Sequence, residues 1–171
     1  NQKLMLMNAG ATIYHEEQVV DEGGTLEGLQ IFISPEQGRL KPDVQFHQFD
    51  EVFSINKWRK IAGLSNDYPL TIRSNTWLMD MRLGKGKQTI LPEPQASDVA
   101  FLFYVFAGKV KVGDNIFLER GDSMLIEDES PLFLALETSD IVLFITQTTA
   151  THFDDGMYSG NQKQRQVMVS G

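Results

Sequence analysis

Between residues 76 and 146 the apolar positions either alternate with polar ones or gather into short unbroken runs, and each run stops at a turn signal. Trp77, Met79, Met81 and Leu83 alternate with Leu78, Asp80 and Arg82, the period-2 mark of a strand with one face buried. Residues 101–107 are apolar throughout. Gly108 then allows a bend into Lys109-Val110-Lys111-Val112, and Gly113-Asp114-Asn115 supplies turn residues before Ile116-Phe117-Leu118. Further turns at residues 119–122 and 128–131 separate strands predicted over 124–126 and 132–136, and 141–146 closes the set. Antiparallel strands joined by tight turns, with aromatic and aliphatic residues inward, predict a small β-barrel.

Upstream, residues 4–7, 11–16 and 26–34 read as three more strands, separated by Asn8-Ala9-Gly10 and by Asp21-Glu22-Gly23-Gly24. The texture changes after that. From Pro35 to about Leu70 the chain holds Pro35, Gly38, Pro42, Gly63 and Pro69, with mixed segments at 46–49 and 58–61, and reads as a long connection containing one or two strands. The polar tail after Thr148, with His152, Asp154 and Asp155, reads as a surface arm.

Composition narrows the chemistry. The 171 residues suit one sizeable domain or two small ones. With no cysteine there is no disulfide, thiolate nucleophile, Cys-based zinc site or iron–sulfur cluster. A formal net charge of −8 opposes a phosphate backbone, and the thin basic groups at Lys57, Arg59 and Lys60 and at Lys85 and Lys87 are better read as solvating turns and strand ends. Direct nucleic-acid binding is therefore not expected. No apolar run reaches the roughly 18 residues of a membrane span, no signal-peptide order opens the chain, and the expected location is the cytoplasm. Asn1 in place of Met leads to the expectation that the sequence begins downstream of the translation start.

The candidate chemistry sits at His15 and Glu17. Side chains two apart on a strand project from one face, so an imidazole and a carboxylate here can converge on a metal ion; a polar strand face or a small ion pair is the alternative. Glu16 points to the other face. His47 reads as a solvated strand residue opposite Phe46, and His152 as part of a surface loop. Neither Gly23-Gly24 nor Gly84-Lys85-Gly86 has the strand–loop–helix context of a phosphate cradle. No catalytic or cofactor-binding residue is assigned.

Asn8-Ala9-Gly10 followed by His15-x-Glu17, then Gly28-Leu29-Gln30-Ile31-Phe32-Ile33 and Pro42-x-x-Gln45, resembles the middle of a pirin-family protein. Ile61-Ala62-Gly63, residues 77–83, Phe103-Tyr104-Val105-x-x-Gly108 and Gly121-Asp122 follow in the order of that family's second cupin. The resemblance implies a bicupin, two jelly-roll β-barrels in one chain, with an iron-type metal in the first barrel held by three histidines and one glutamate. Two of those histidines belong to an upstream His-x-His motif that these 171 residues lack, so His15 and Glu17 carry over as an incomplete ligand set. Where a metal-binding second cupin would place ligands, this chain has Gln88, Glu93, Gln95 and Asp98 without a histidine, and that barrel is expected to be metal-free, as in the family generally.

The expectation is thus an all-β cupin chain. Residues 1–49 supply the closing strands of an incomplete first barrel, 50–75 a connector, 76–148 the second cupin and 149–171 a tail. The resemblance implies a quercetin 2,3-dioxygenase-like parent using iron or another divalent metal, with no complete site in this chain. The alternative is a non-enzymatic scaffold for a protein partner, since animal members of the family act as nuclear transcription cofactors. Uncovered N-terminal strands would favour a homodimer.

Overall fold

β-Branched and aromatic residues placed on alternate positions leave one face of each strand to be buried, and the chain satisfies that demand by stacking sheets. The structure, a computed structural model, describes residues 3–10, 24–25 and 27–153. Among them are twelve strands and no helix: β1 Lys3–Asn8, β2 Asp43–Gln48, β3 Arg59–Gly63, β4 Leu70–Thr71, β5 Thr76–Leu83, β6 Gln88–Thr89, β7 Val99–Ala107, β8 Lys109–Val112, β9 Ile116–Glu119, β10 Ser123–Glu127, β11 Phe133–Ala135 and β12 Ser139–Gln147. Consequently no helix among the described residues is long and apolar enough to cross a membrane. The all-β expectation holds.

The chain divides into two compact units, one of residues 1–6 and 45–150 and one of residues 7–44 and 151–171. The first contains a six-stranded sheet in the order β10-β7-β12-β5-β3-β4 and a four-stranded sheet in the order β6-β11-β8-β9. Neighbours in space are mostly not neighbours in sequence: β12 lies between β5 and β7, pairing antiparallel with both. The β3–β4 pair is parallel, an exception to the antiparallel pattern expected from the turns. Residues 50–75, read as a connector, carry β3 and β4 at one side of the larger sheet.

Two local devices shape this unit. Gly108 adopts φ 90°, and a Cβ there would stand 2.6 Å from the carbonyl oxygen of Thr138, so the bend from β7 into β8 requires glycine. Fully buried Ser139 fastens the same corner: its hydroxyl accepts from the Lys109 amide at 3.0 Å and lies 2.8 Å from the Glu137 carbonyl, to which it donates. At the other side, the Gln45 side chain imitates a backbone partner for β4. Its Oε1 accepts from the Thr71 amide at 2.8 Å and its Nε2 donates to the Thr71 carbonyl at 3.1 Å.

The second unit is described at residues 7–10, 24–25, 27–44 and 151–153. The Asn8 side chain donates to the Lys41 carbonyl at 2.8 Å, and Gly10, at φ 59°, lets the backbone pass against Pro42. The Phe153 amide donates to the Pro35 carbonyl at 2.9 Å, while its ring occupies the space a Cβ on Gly38 would need. The start of the tail, expected to be a surface arm, is exposed at Thr151 and His152 and held to residues 35–38 by Phe153. The strand expected at 26–34 is corrected: residues 27–34 lie outside every strand, and all but Ile33 are exposed. An apolar run becomes a strand only when a neighbour pairs its backbone, and hydrophobicity alone does not supply one. The strand expected over 11–16 lies outside the described residues.

Candidate functional site

A β-barrel interior can be a ligand site or a packed core, and the side chains that enter it decide which. Register places the inward residues of the six-stranded sheet in layers. Trp77, Ile145, Phe101 and Ile126 occupy one level, and Met79, Leu143, Phe103 and Met124 the next, with Met81, Ile141 and Val105 following. The smaller sheet faces them with Val110, Val112, Leu118, Phe133 and Ala135, all buried. The Phe103 and Phe133 rings stack across the middle at 4.2 Å, nearly parallel at 6°. Trp58 meets Phe103 edge-on at 6.4 Å and sends its indole N–H to the Ile90 carbonyl at 2.9 Å. The barrel is filled with hydrocarbon. Gln88, Glu93, Gln95 and Asp98 are exposed instead of inward: Gln88 lies on the exposed side of β6, and Glu93, Gln95 and Asp98 lie in the loop of residues 92–98. These residues do not fit a metal, and among the described residues no three His, Asp or Glu side chains converge as a metal site.

Two polar atoms do penetrate the core. The Tyr68 hydroxyl and the Trp77 indole nitrogen are buried without a hydrogen-bond partner, and each residue is 4 % exposed. Both rings press on Gly63, where a Cβ would stand 2.5 Å from Trp77 Cδ1 and 2.9 Å from Tyr68 Cγ. Burial, with the nearby charge of Asp67, pushes the Tyr68 phenol up to about 12. Lys60 lies over the Tyr68 ring at 5.1 Å while paired to Asp67, which also accepts from Ser65.

Charged side chains concentrate on the outer face of β5. Arg59 binds Asp80 through both oxygens, at 2.9 and 2.6 Å, and lies 4.1 Å from the Phe49 ring. Arg82 repeats the arrangement with Asp140, two contacts of 2.6 Å, beneath the Phe53 ring. Hydrogen bonding to Asp140 holds the Arg82 guanidinium above its ordinary value. Residues 51–57 are laid along these arginines: Arg59 donates to the Glu51 and Val52 carbonyls, and the Arg82 backbone exchanges hydrogen bonds with Ser54 and Asn56. This arrangement strengthens the packing of a loop on a sheet and offers no nucleophile or general base. Its sequence signal was only the alternation of Asp80 and Arg82 with the buried residues of β5.

His15 and Glu17 lie outside the described residues, so the structure gives them no geometry. His47 departs from the solvated reading. Gln45, His47 and Phe49 are half-buried on one side of the strand, with the His47 ring edge-on to Phe49 at 4.4 Å, while Phe46 is 69 % exposed. His152 is exposed in the attached tail segment.

By sequence, no family model and no curated protein matches the chain. Solved structures do. The nickel(II) complex of the bacterial pirin YhhW from Escherichia coli superposes with a TM-score of 0.55 at 18 % identity, covering 66 % of this chain and 47 % of its own. A second structure of YhhW gives a TM-score of 0.57 at 20 % identity, covering 69 % and 49 %. Quercetin 2,3-dioxygenase from Acinetobacter baumannii gives 0.54 at 19 % identity, covering 78 % and 53 %. The chain thus spans about half the length of these proteins. Its two sheets and their crossed strand order constitute an all-β cupin fold, the fold shared with these pirin and quercetin 2,3-dioxygenase structures.

Proposed function

We propose that this chain belongs to a metal-dependent, pirin-like protein of the quercetin 2,3-dioxygenase type, and that any metal chemistry resides with His15 and Glu17 and not in the barrel of residues 59–147. The observation that carries this reading is the hydrocarbon interior around the Phe103–Phe133 stack. It supports a division of labour in which this barrel is a structural partner. An imidazole and a carboxylate suit iron or another divalent metal, but two protein ligands are fewer than the three that catalytic sites normally use. His15 and Glu17 would therefore be two members of a larger set. The metal would supply open positions for substrate and oxygen; the chain's own part would be to contribute the His15 imidazole and the Glu17 carboxylate as ligands. We place the protein in the cytoplasm.

The test is metal content by mass spectrometry together with oxygen uptake on quercetin, for the natural full-length gene product and for His15→Ala and Glu17→Gln. Expected are about one divalent ion per chain, uptake above the protein-free rate, and loss of both in each variant. Unchanged metal content in both variants would overturn the ligand assignment.

A second reading, a non-enzymatic scaffold for a protein partner, is supported by the same filled barrel. It requires partner capture that survives His15→Ala and no quercetin-dependent oxygen uptake by the full-length protein.

A further inference from the structure

The six-stranded sheet ends at β10, Ser123-Met124-Leu125-Ile126-Glu127, whose second edge is bonded to no other strand among the described residues. Sheet edges in stable monomers are commonly blunted by a lysine, a proline or a bulge. β10 has none of these, and its pairing with β7 is regular over all five residues. Its solvent face is apolar at the centre, where Leu125 is 63 % exposed. Register extends this apolar patch across the sheet: Leu125 lies opposite Leu102, Leu102 opposite Phe144, and Phe144 opposite Leu78. The result is a hydrophobic stripe four strands wide that runs off an open edge.

We propose that β10 is a self-association edge, pairing antiparallel with β10 of a second copy about a two-fold axis through Leu125. The sequence of the strand selects this partner and this register. Centred on Leu125, all five residues pair, Leu125 meets its own copy, and Glu127 meets Ser123. Centred two residues further on, Glu127 would face Glu127. Centred on Ile126, Glu127 would lie against Leu125. A shift of one half-step mixes the two faces, setting Leu125 against the inward side. Only the Leu125-centred register joins the two hydrophobic stripes into one and keeps like charges apart, and an isologous two-fold contact of this kind closes at two copies.

The chain contains no cysteine, so single-cysteine variants read the register directly. In an antiparallel pair, residues directly opposite stand about 4.5–5.5 Å apart at Cα, within disulfide reach, whereas Ser123 and its own copy would be separated by about four residues, roughly 13 Å. Under mild oxidation Leu125→Cys is expected to form a covalent dimer in high yield and Ser123→Cys at least tenfold less, while the double variant Ser123→Cys, Glu127→Cys cross-links again. Sedimentation of the uncross-linked full chain is expected to show a dimer that Leu125→Lys converts to monomer. Leu125 is exposed, so none of these variants threatens the fold. A wild-type monomer at several hundred micromolar, equal cross-linking at 123 and 125, or a dimer indifferent to Leu125→Lys would each overturn the proposal.

Discussion

The buried Tyr68 hydroxyl offers the sharpest test of how the barrel is held together. Tyr68→Phe removes one oxygen from a side chain that is 4 % exposed and leaves the ring against Gly63 and beneath Lys60. Because that hydroxyl has no hydrogen-bond partner, folding strips it of water without compensation. A buried donor left unpaired costs about 1–3 kcal/mol. The variant should therefore be more stable at pH 7 by about 1 kcal/mol, or about 2–4 °C in Tm for a chain of this size. The pH dependence adds an independent signature. Burial raises the phenol from 10.0 to about 12, so the fold favours the neutral form. Below pH 10 both folded and unfolded Tyr68 are protonated and that preference is fully present. Between pH 10 and 12 the unfolded chain ionises while the folded chain does not, and wild type loses up to about 2–3 kcal/mol that Tyr68→Phe never had to lose. The assay is equilibrium urea unfolding followed by the fluorescence of Trp58 and Trp77 at pH 7, 9, 10.5 and 11.5. Taking the difference between the two proteins cancels the titration of every other group. A variant less stable than wild type by more than 1 kcal/mol at pH 7, or a difference flat with pH, would refute the reasoning, since the first requires a partner for the hydroxyl and the second a phenol that folding leaves unshifted.

Three further outcomes follow from the packing. Gly108→Ala combines a positive φ with a Cβ pressed on the Thr138 carbonyl, and should lower stability by at least about 2 kcal/mol in the same urea assay. Phe133→Ala empties half of the central aromatic stack, and thermal unfolding should report a loss of about 3–5 kcal/mol. Gln45→Glu places a carboxylate against the Thr71 carbonyl and removes the donor to it, costing about 1–2 kcal/mol at pH 7. Relative to wild type at each pH, that loss should shrink below about pH 4, where the protonated acid can donate again; a loss unchanged at pH 3.5 would sink the backbone-mimic reading of Gln45.

How much of this was readable in advance depended on how local the cause was. β5, observed at Thr76–Leu83, was read over residues 77–83 because period-2 alternation of apolar and polar residues runs through nearly the whole strand. Gly108 announced the β7–β8 bend for the same local reason. The two-residue strands β4 and β6 had no periodicity to show, since they exist only because β3 and β11 pair with them. Residues 27–34 carry the hydrophobicity of a strand without the pairing of one. The Arg59–Asp80 and Arg82–Asp140 pairs join residues 21 and 58 positions apart, so only the cross-strand register, absent from any window of sequence, brings them together. As for His15 and Glu17, their pattern is legible only as sequence, and their reading rests on spacing and on the family they resemble.

The filled barrel constrains where chemistry can reside more firmly than any single motif does. To build a three-ligand metal site at its centre, side chains at the level of Met79, Phe103 and Leu143 would have to become histidines or carboxylates. Each such core replacement sacrifices roughly 2–5 kcal/mol of packing, and three together approach the whole stability of an ordinary domain, about 5–15 kcal/mol. The alternation that makes β5, β7 and β12 good strands is thus the alternation that excludes ligands from between them. A metal would need polar side chains that share a strand face instead, and two histidine–carboxylate pairs in the sequence have that spacing, His15-x-Glu17 and His152-x-Asp154, of which only the first falls within the pirin-like motif. The proposed reading separates metal binding from the stability of this barrel: His15→Ala should remove metal while leaving the Tyr68-linked stability profile between pH 10 and 12 unchanged.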